Sequence, residues 1–181
     1  MKLLNPFIIL LVSVIITSCS SSNNNDAPYV LTTENIAGTY EVTNFNIDTK
    51  VTSATEVAGV LVPFPVATST SNGDTFQIDF TLNTDGTFTA IGQYRVITVV
   101  TPAVGSAITD TTILLIDEAG TYQVDADTYT LQISASNDGF LQGNFTIVTF
   151  NEDTVILKQE TEEVIDTVTT EIETNISFVR N

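Results

Sequence analysis

Asp74-Thr75-Phe76-Gln77-Ile78-Asp79-Phe80-Thr81-Leu82-Asn83-Thr84-Asp85-Gly86-Thr87-Phe88-Thr89-Ala90-Ile91-Gly92-Gln93-Tyr94 is the stretch whose reading decides the fold. Phe76, Ile78, Phe80 and Leu82 alternate with Gln77, Asp79, Thr81 and Asn83, so an extended chain has one apolar and one polar face. Asn83-Thr84-Asp85-Gly86 is turn chemistry, with Gly86 free to take positive φ. Phe88, Ala90, Gly92 and Tyr94 then continue the apolar face on a return strand. The segment is a β-hairpin with one face toward a core.

The same period of two runs outward from it. Tyr122-Gln123-Val124 leads into Asp125-Ala126-Asp127; Tyr129, Leu131 and Ile133 alternate with Thr130, Gln132 and Ser134; and Asn137-Asp138-Gly139 turns the chain again. Phe145 and Ile147 begin another strand, Asn151-Glu152-Asp153 ends it, and Val155 and Leu157 return. Thr, Val and Ile dominate, as suits a pleated, half-buried surface, and residues 160–172 carry no helical apolar stripe and read as strand. Regular strands separated by Asx and Gly turns predict an all-β fold, an antiparallel up-and-down β-barrel of about 8 strands, with a β-sandwich as the alternative.

Residues 50–71, 91–116 and 155–180 are longer than a small barrel wall requires and predict hairpin arms that reach beyond the core on one side. Phe76, Phe80, Phe88, Tyr94, Tyr122, Tyr129 and Phe145 fall on expected inward faces, joined by Tyr40 at the first strand. Such rings either fill a barrel or line a site for one small apolar ligand. In the apolar run 60–66, Pro63 and Pro65 bar a central strand. That run reads as an edge, a contact patch, or a lid that closes the barrel mouth with Phe64.

Composition narrows the chemistry. The 181 residues hold 5 Lys plus Arg, 22 Asp plus Glu, no His and one Cys, for a formal net charge of −17. Without His, Ser/His/Asp and Cys/His nucleophilic schemes are closed. Asp125 and Asp127 read as turn formers rather than a catalytic carboxylate pair, so no enzyme is expected. One Cys makes no zinc site, the Asn83 and Asn137 turns are too short for a Ca²⁺ loop, and no metal or cofactor is expected. The negative charge argues against nucleic acid as a partner.

The N-terminus reads as a targeting segment. Lys2, the apolar run from Phe7 to Ile16, and Thr17-Ser18 have the order of a signal peptide over 1–18. Ile16-Thr17-Ser18-Cys19 resembles the lipobox of bacterial lipoproteins. That resemblance implies cleavage before Cys19, diacylglyceryl on its Sγ and acylation of the new N-terminus. Such chains, palmitate among them, hold a protein on a membrane at ~0.8 kcal/mol per buried CH₂. Residues 19–33 read as a flexible polar tether. Ser20 after the cysteine implies transport to the outer membrane, with the periplasmic face preferred.

The domain over 34–181 resembles the lipocalin-like group of bacterial lipoproteins. In Asn35-Ile36-Ala37-Gly38-Thr39-Tyr40, Gly-x-Tyr stands where lipocalins have Gly-x-Trp. Asp85-Gly86-Thr87-Phe88 at a hairpin, Gly120-Thr121-Tyr122, and Asp153-Thr154-Val155-Ile156-Leu157 are similar to later pieces of that group. The resemblance implies a closed barrel with the aromatic packed across one end. Arg180 stands close to the family's late Arg, which would stack on Tyr40; an ordinary chain-terminal Arg is the other reading. The chain departs from the family in its Tyr40 and in lacking a helix after the last strand. The resulting expectation is an outer-membrane-anchored lipoprotein that binds a small apolar ligand or serves as a cell-envelope interaction module. A structural or adhesive β-sandwich lipoprotein without a cavity is the alternative.

Overall fold

The computed structural model describes residues 29–136 and 141–181. The signal segment, Cys19 with its lipobox, the tether through residue 28 and the Asn137-Asp138-Gly139 turn lie outside the described residues. A single helical turn, α1 (Thr33–Ile36), precedes eight strands: β1 (Gly38–Val57), β2 (Val60–Leu82), β3 (Thr87–Pro102), β4 (Ile108–Asp125), β5 (Thr130–Ala135), β6 (Gly143–Phe150), β7 (Thr154–Ile165) and β8 (Val168–Arg180). They form a closed antiparallel up-and-down barrel in chain order. β8 closes onto β1 from Tyr40↔Arg180 to Ser53↔Val168. The barrel, not the sandwich, is the fold.

Alternation explains the wall. Ile78, Phe80, Leu82, Phe88, Ala90, Tyr94 and Val96 are buried, while Gln77, Asp79, Thr89 and Gln93 between them are exposed. Glu41, Gln123, Gln132 and Asn144 continue the polar exterior on other strands. A barrel lying in lipid has an apolar outer band; this wall is built to meet water. The turns also follow their residues. Gly86 takes φ +81, and its N–H donates to the Asn83 carbonyl at 3.1 Å. Asp125 Oδ1 accepts from the N–H groups of Asp127 and Thr128. Asn151 Oδ1 accepts in the same way from Asp153 and Thr154.

One irregularity is built into β2. The register shifts between Asp74 and Gln77, with Thr75 at φ +53. Opposite it, Gly92 sits at φ +149, where an added Cβ would lie 1.9 Å from the Gln77 carbonyl oxygen. Only glycine fits where the bulged backbone comes this close.

The arms are present. The β1–β2, β3–β4 and β7–β8 hairpins all turn at the end opposite the entry of the chain at Gly38. No residue of 46–77, 97–115 or 158–173 is buried, so these strand lengths run past the core. β5 and β6 are short, at six and eight residues.

The structure corrects three details of the sequence reading. The tether ends before residue 33: Leu31 is 2% exposed, and the Tyr29 ring lies 4.9 Å from that of Phe150. Thr32 Oγ1 accepts the Asn35 N–H to cap α1, and this fixes Ile36 in the core at 0% exposure. Tyr129 is not inward; it falls in the β4–β5 turn at φ +55, which breaks the alternation and leaves it 44% exposed. Phe64 is not a lid. It pairs with Ser53 in the β1–β2 arm and is 45% exposed. Pro63 and Pro65 have no β3 partner, since that ladder begins at Ala67↔Pro102, so the edge expected from the prolines is what forms.

Candidate functional site

Seven of the eight expected lining aromatics do face inward, but they pack on one another. Phe80 and Phe178 stack at 4.8 Å, and Tyr40 lies 6.3 Å from each of them. Phe88 is 6.1 Å from Phe80. Higher in the barrel, Tyr94 meets Phe45 edge-on at 5.5 Å and stacks on Phe76 at 5.9 Å. Phe145 and Tyr122 are 1% and 3% exposed. The cavity bounded by Tyr40, Phe80, Leu82, Leu131, Val155, Leu157 and Phe178 is about 10 Å³. A ligand site needs roughly 300 Å³ or more. These rings therefore form a core, not a ligand chamber; aromatics from six strands and aliphatic side chains from β5 and β7 meet across the narrow axis and fill it.

The barrel end near the chain entry is closed by Arg180. Its Nη1 donates to the Ala37 carbonyl at 2.9 Å, and its Nη2 donates to the Asn35 carbonyl at 2.5 Å and to Tyr40 Oη at 2.8 Å. The guanidinium carbon lies 5.1 Å from the centre of the Tyr40 ring. Tyr40 Oη in turn donates to the Ile36 carbonyl at 2.5 Å. Burial raises the Tyr40 pKa, and the nearby Arg180 charge opposes that rise. Gly38 lies flat beneath the guanidinium, where an added Cβ would come within 3.0 Å of Nη1. Of the two readings of Arg180, the stack on Tyr40 is the one observed.

One carboxylate enters the barrel that no motif had marked. Glu118 is 7% exposed and lies opposite Ala90. Burial, followed by the Glu118 charge, pushes the Tyr94 hydroxyl up to about 12. The signal was present in the sequence: Ile116, Gly120 and Tyr122 share parity with Glu118, so the strand that buries Ile116 and Tyr122 must turn Glu118 inward.

The arms carry the polar concavity. A groove of about 510 Å³ is bounded by Asp48, Lys50, Thr68, Thr70, Glu160, Glu162, Glu171 and Glu173, among others. The register sets Glu160 opposite Glu173 and Glu162 opposite Glu171. Like charges so placed repel, and lysines intervene. Lys158 Nζ reaches Glu160 at 2.7 Å and Glu173 at 3.0 Å, and Lys50 reaches Glu171 at 3.0 Å. Hydrogen bonds to Glu160 and Glu173 raise the Lys158 pKa. The Asn175 amide and then Lys158 lower that of Glu173. Among the described residues, no three His, Cys, Asp or Glu side chains are placed to hold a metal ion. The arm tips are apolar instead. Leu61, Val104, Ile108 and Ile165 are 61%, 91%, 67% and 61% exposed.

No protein-family model matches the chain, and no curated protein matches it. Two solved structures of Ail, the attachment invasion locus protein of Yersinia pestis, are similar, one of them in complex with the heparin analogue sucrose octasulfate. Their identities are 10% and 12% and their TM-scores 0.23 and 0.20; both matches cover 81% of this chain and 100% of the Ail chain. Likeness at these TM-scores carries no argument about function.

Proposed function

We propose that the protein is a lipid-anchored, non-catalytic cell-envelope interaction module, in which a filled barrel holds three arms toward a protein partner. The observation that carries this reading is polarity along the barrel axis. The chain enters at the Gly38 end, and the arms with exposed apolar tips stand at the opposite end. An anchor on Cys19 at the outer membrane would leave those tips pointing away from the bilayer on the periplasmic side. The filled interior favours this role over carriage of a small apolar molecule. The Tyr40–Arg180 stack supports the likeness to lipocalins in architecture. A partner that is apolar where it meets the tips and basic around them suits a chain of net charge −17.

The test has two parts. Mass spectrometry of the mature protein is expected to show an acylated Cys19 as first residue, and an N-terminus at Met1 would overturn the anchor. Photo-crosslinkers placed at Leu61, Val104 and Ile165 in the intact envelope are expected to capture one common protein, with none captured from the wall positions Thr89 and Gln132. No capture from any tip would refute the arms as the binding surface.

A further inference from the structure

Several strand edges lack a ladder partner among the described residues, and the three longest differ in what protects them. Beyond Ala67, β2 has no partner on β3, and that length contains Pro63 and Pro65. Beyond Lys158, β7 has no partner on β6, and that length contains Glu160, Glu162 and Glu163. Proline and charge are the ordinary devices that keep an edge from pairing. The third edge is that of β4. Its pairing with β5 begins at Gly120↔Ala135, with one further bond from Ser136 N–H to the Ala119 carbonyl. Among the described residues, 108–117, Ile-Thr-Asp-Thr-Thr-Ile-Leu-Leu-Ile-Asp, pair with β3 alone. They contain no Pro and no Lys, and Ile113, Leu114 and Leu115 are 65%, 41% and 81% exposed. The edge is long and regular, its centre from Ile113 to Ile116 is apolar, and its two carboxylates, Asp110 and Asp117, stand toward either end.

We propose that this edge pairs antiparallel with the same edge of a second copy, with the two-fold axis through Ile113. The Ala119 carbonyl faces β5, and no register shift interrupts the β3–β4 ladder, so the odd-numbered residues of β4 turn their N–H and C=O groups to the open edge. A two-fold at Ile113 pairs odd with odd: Ile113 with itself, Leu115 with Thr111, and Asp117 with Thr109. Residues 109, 111, 113, 115 and 117 of both copies then exchange about ten backbone hydrogen bonds, the complement of a standard interface. Bond count and charge together select this register: with the axis at Thr112, Asp117 would meet Ala107, outside β4, and bonds of the ladder would be lost. Moved by one position, with the axis at Leu114, Asp110 would face Glu118 of the other copy, two carboxylates directly opposed. With the axis at Ile113, Asp110 faces Ile116 and Asp117 faces Thr109, and no like charges meet. The interface is isologous, so it closes as a dimer and does not propagate.

Native mass spectrometry and sedimentation of the full-length chain at high micromolar concentration test this. The wild type is expected to be dimeric, and a monomer overturns the proposal. Leu115→Pro removes an edge N–H without removing a β3 ladder bond and is expected to give a monomer with an unchanged circular dichroism spectrum. Ile113→Lys and Ile113→Glu are each expected to be monomeric, because the axis sets like charges against each other, and their mixture is expected to form a heterodimer. Should Leu115→Pro fail to fold, the charge pair decides: a persistent homodimer of either charged variant, or no heterodimer on mixing, overturns the register. In a Cys19→Ser full-length background, mild oxidation is expected to crosslink Ile113→Cys into a covalent dimer and to leave Leu115→Cys uncrosslinked. The reverse pattern refutes the axis at Ile113.

Discussion

Truncating Arg180 to alanine removes more than a penultimate side chain. The guanidinium makes three charge-assisted hydrogen bonds, to the carbonyls of Ala37 and Asn35 and to Tyr40 Oη, and it covers the Tyr40 ring. Hydrogen bonds to charged groups contribute about 1.5–3 kcal/mol each in favourable cases. Asn35 and Ala37 are only half-buried, so water re-solvates part of what is lost, and the low end applies. With the cation–π contact worth about 0.5–1 kcal/mol, the gross sum is about 5 kcal/mol, and re-solvation of the freed carbonyls brings the expected loss for Arg180→Ala to about 3 kcal/mol. That is a large share of the 5–15 kcal/mol typical of a domain. Backbone bonds from Arg180 N–H to the Asp153 carbonyl and from Asn181 N–H to the Thr39 carbonyl stay in place, so the loss is a side-chain effect. Arg180→Lys keeps a cation over the ring but not the fork that reaches three acceptors, and about half the loss is expected. Urea unfolding reads these values, with the midpoint shifted and the slope unchanged. A double-mutant cycle with Tyr40→Phe should show coupling of about 1 kcal/mol. A loss under about 0.5 kcal/mol for Arg180→Ala, or strict additivity with Tyr40→Phe, would refute the clasp, since surface substitutions already fall in that range.

Two further predictions concern the barrel. Gly92→Ala drives a Cβ against the Gln77 carbonyl at a φ of +149, and a loss on the order of 3 kcal/mol is expected, seen as a fall in Tm of roughly 6–12 °C; a fall of under about 2 °C would show that the β2 bulge relaxes freely. Tyr94 and Tyr122 titrate at about 12 in the folded chain against 10.0 ordinarily, mainly through burial. The folded state therefore holds protons that the unfolded state releases, so their contribution is complete below pH about 10 and disappears as pH rises toward about 12. Urea midpoints across that window should fall, and Tyr94→Phe should flatten the fall; an unchanged slope in that variant would remove Tyr94 as a cause.

Much of the fold was legible because a half-buried strand writes its burial into every second residue. From Phe76 to Val96 the alternation names the inward side chains, and it does so again from Leu131 to Ile133 and from Val155 to Leu157. Reading failed where a local backbone event breaks the period. Tyr129 shares parity with Leu131, yet a positive φ in the turn releases it to solvent. Phe64 is an ordinary arm residue, because neighbouring prolines remove donors from an edge without removing the strand. Leu31 reads as tether because its short apolar segment has no period; its burial depends on packing against the finished barrel.

The sequence by itself determined the fold class, the placement of the hairpins and the polar exterior, since period two and turn residues act over a few positions at a time. Arm length was legible for the same reason: strands whose inward positions turn from Phe and Tyr to Thr and Ser have no core to cover. Whether inward aromatics enclose a space or fill it was decided only by tertiary structure, because that depends on rings from β1, β2, β3 and β8 meeting across one axis. The partnership of Arg180 with Tyr40 belongs to the same class, joining residues 140 positions apart only because β8 closes onto β1. So does the open edge of β4, which exists because β5 and β6 are short strands.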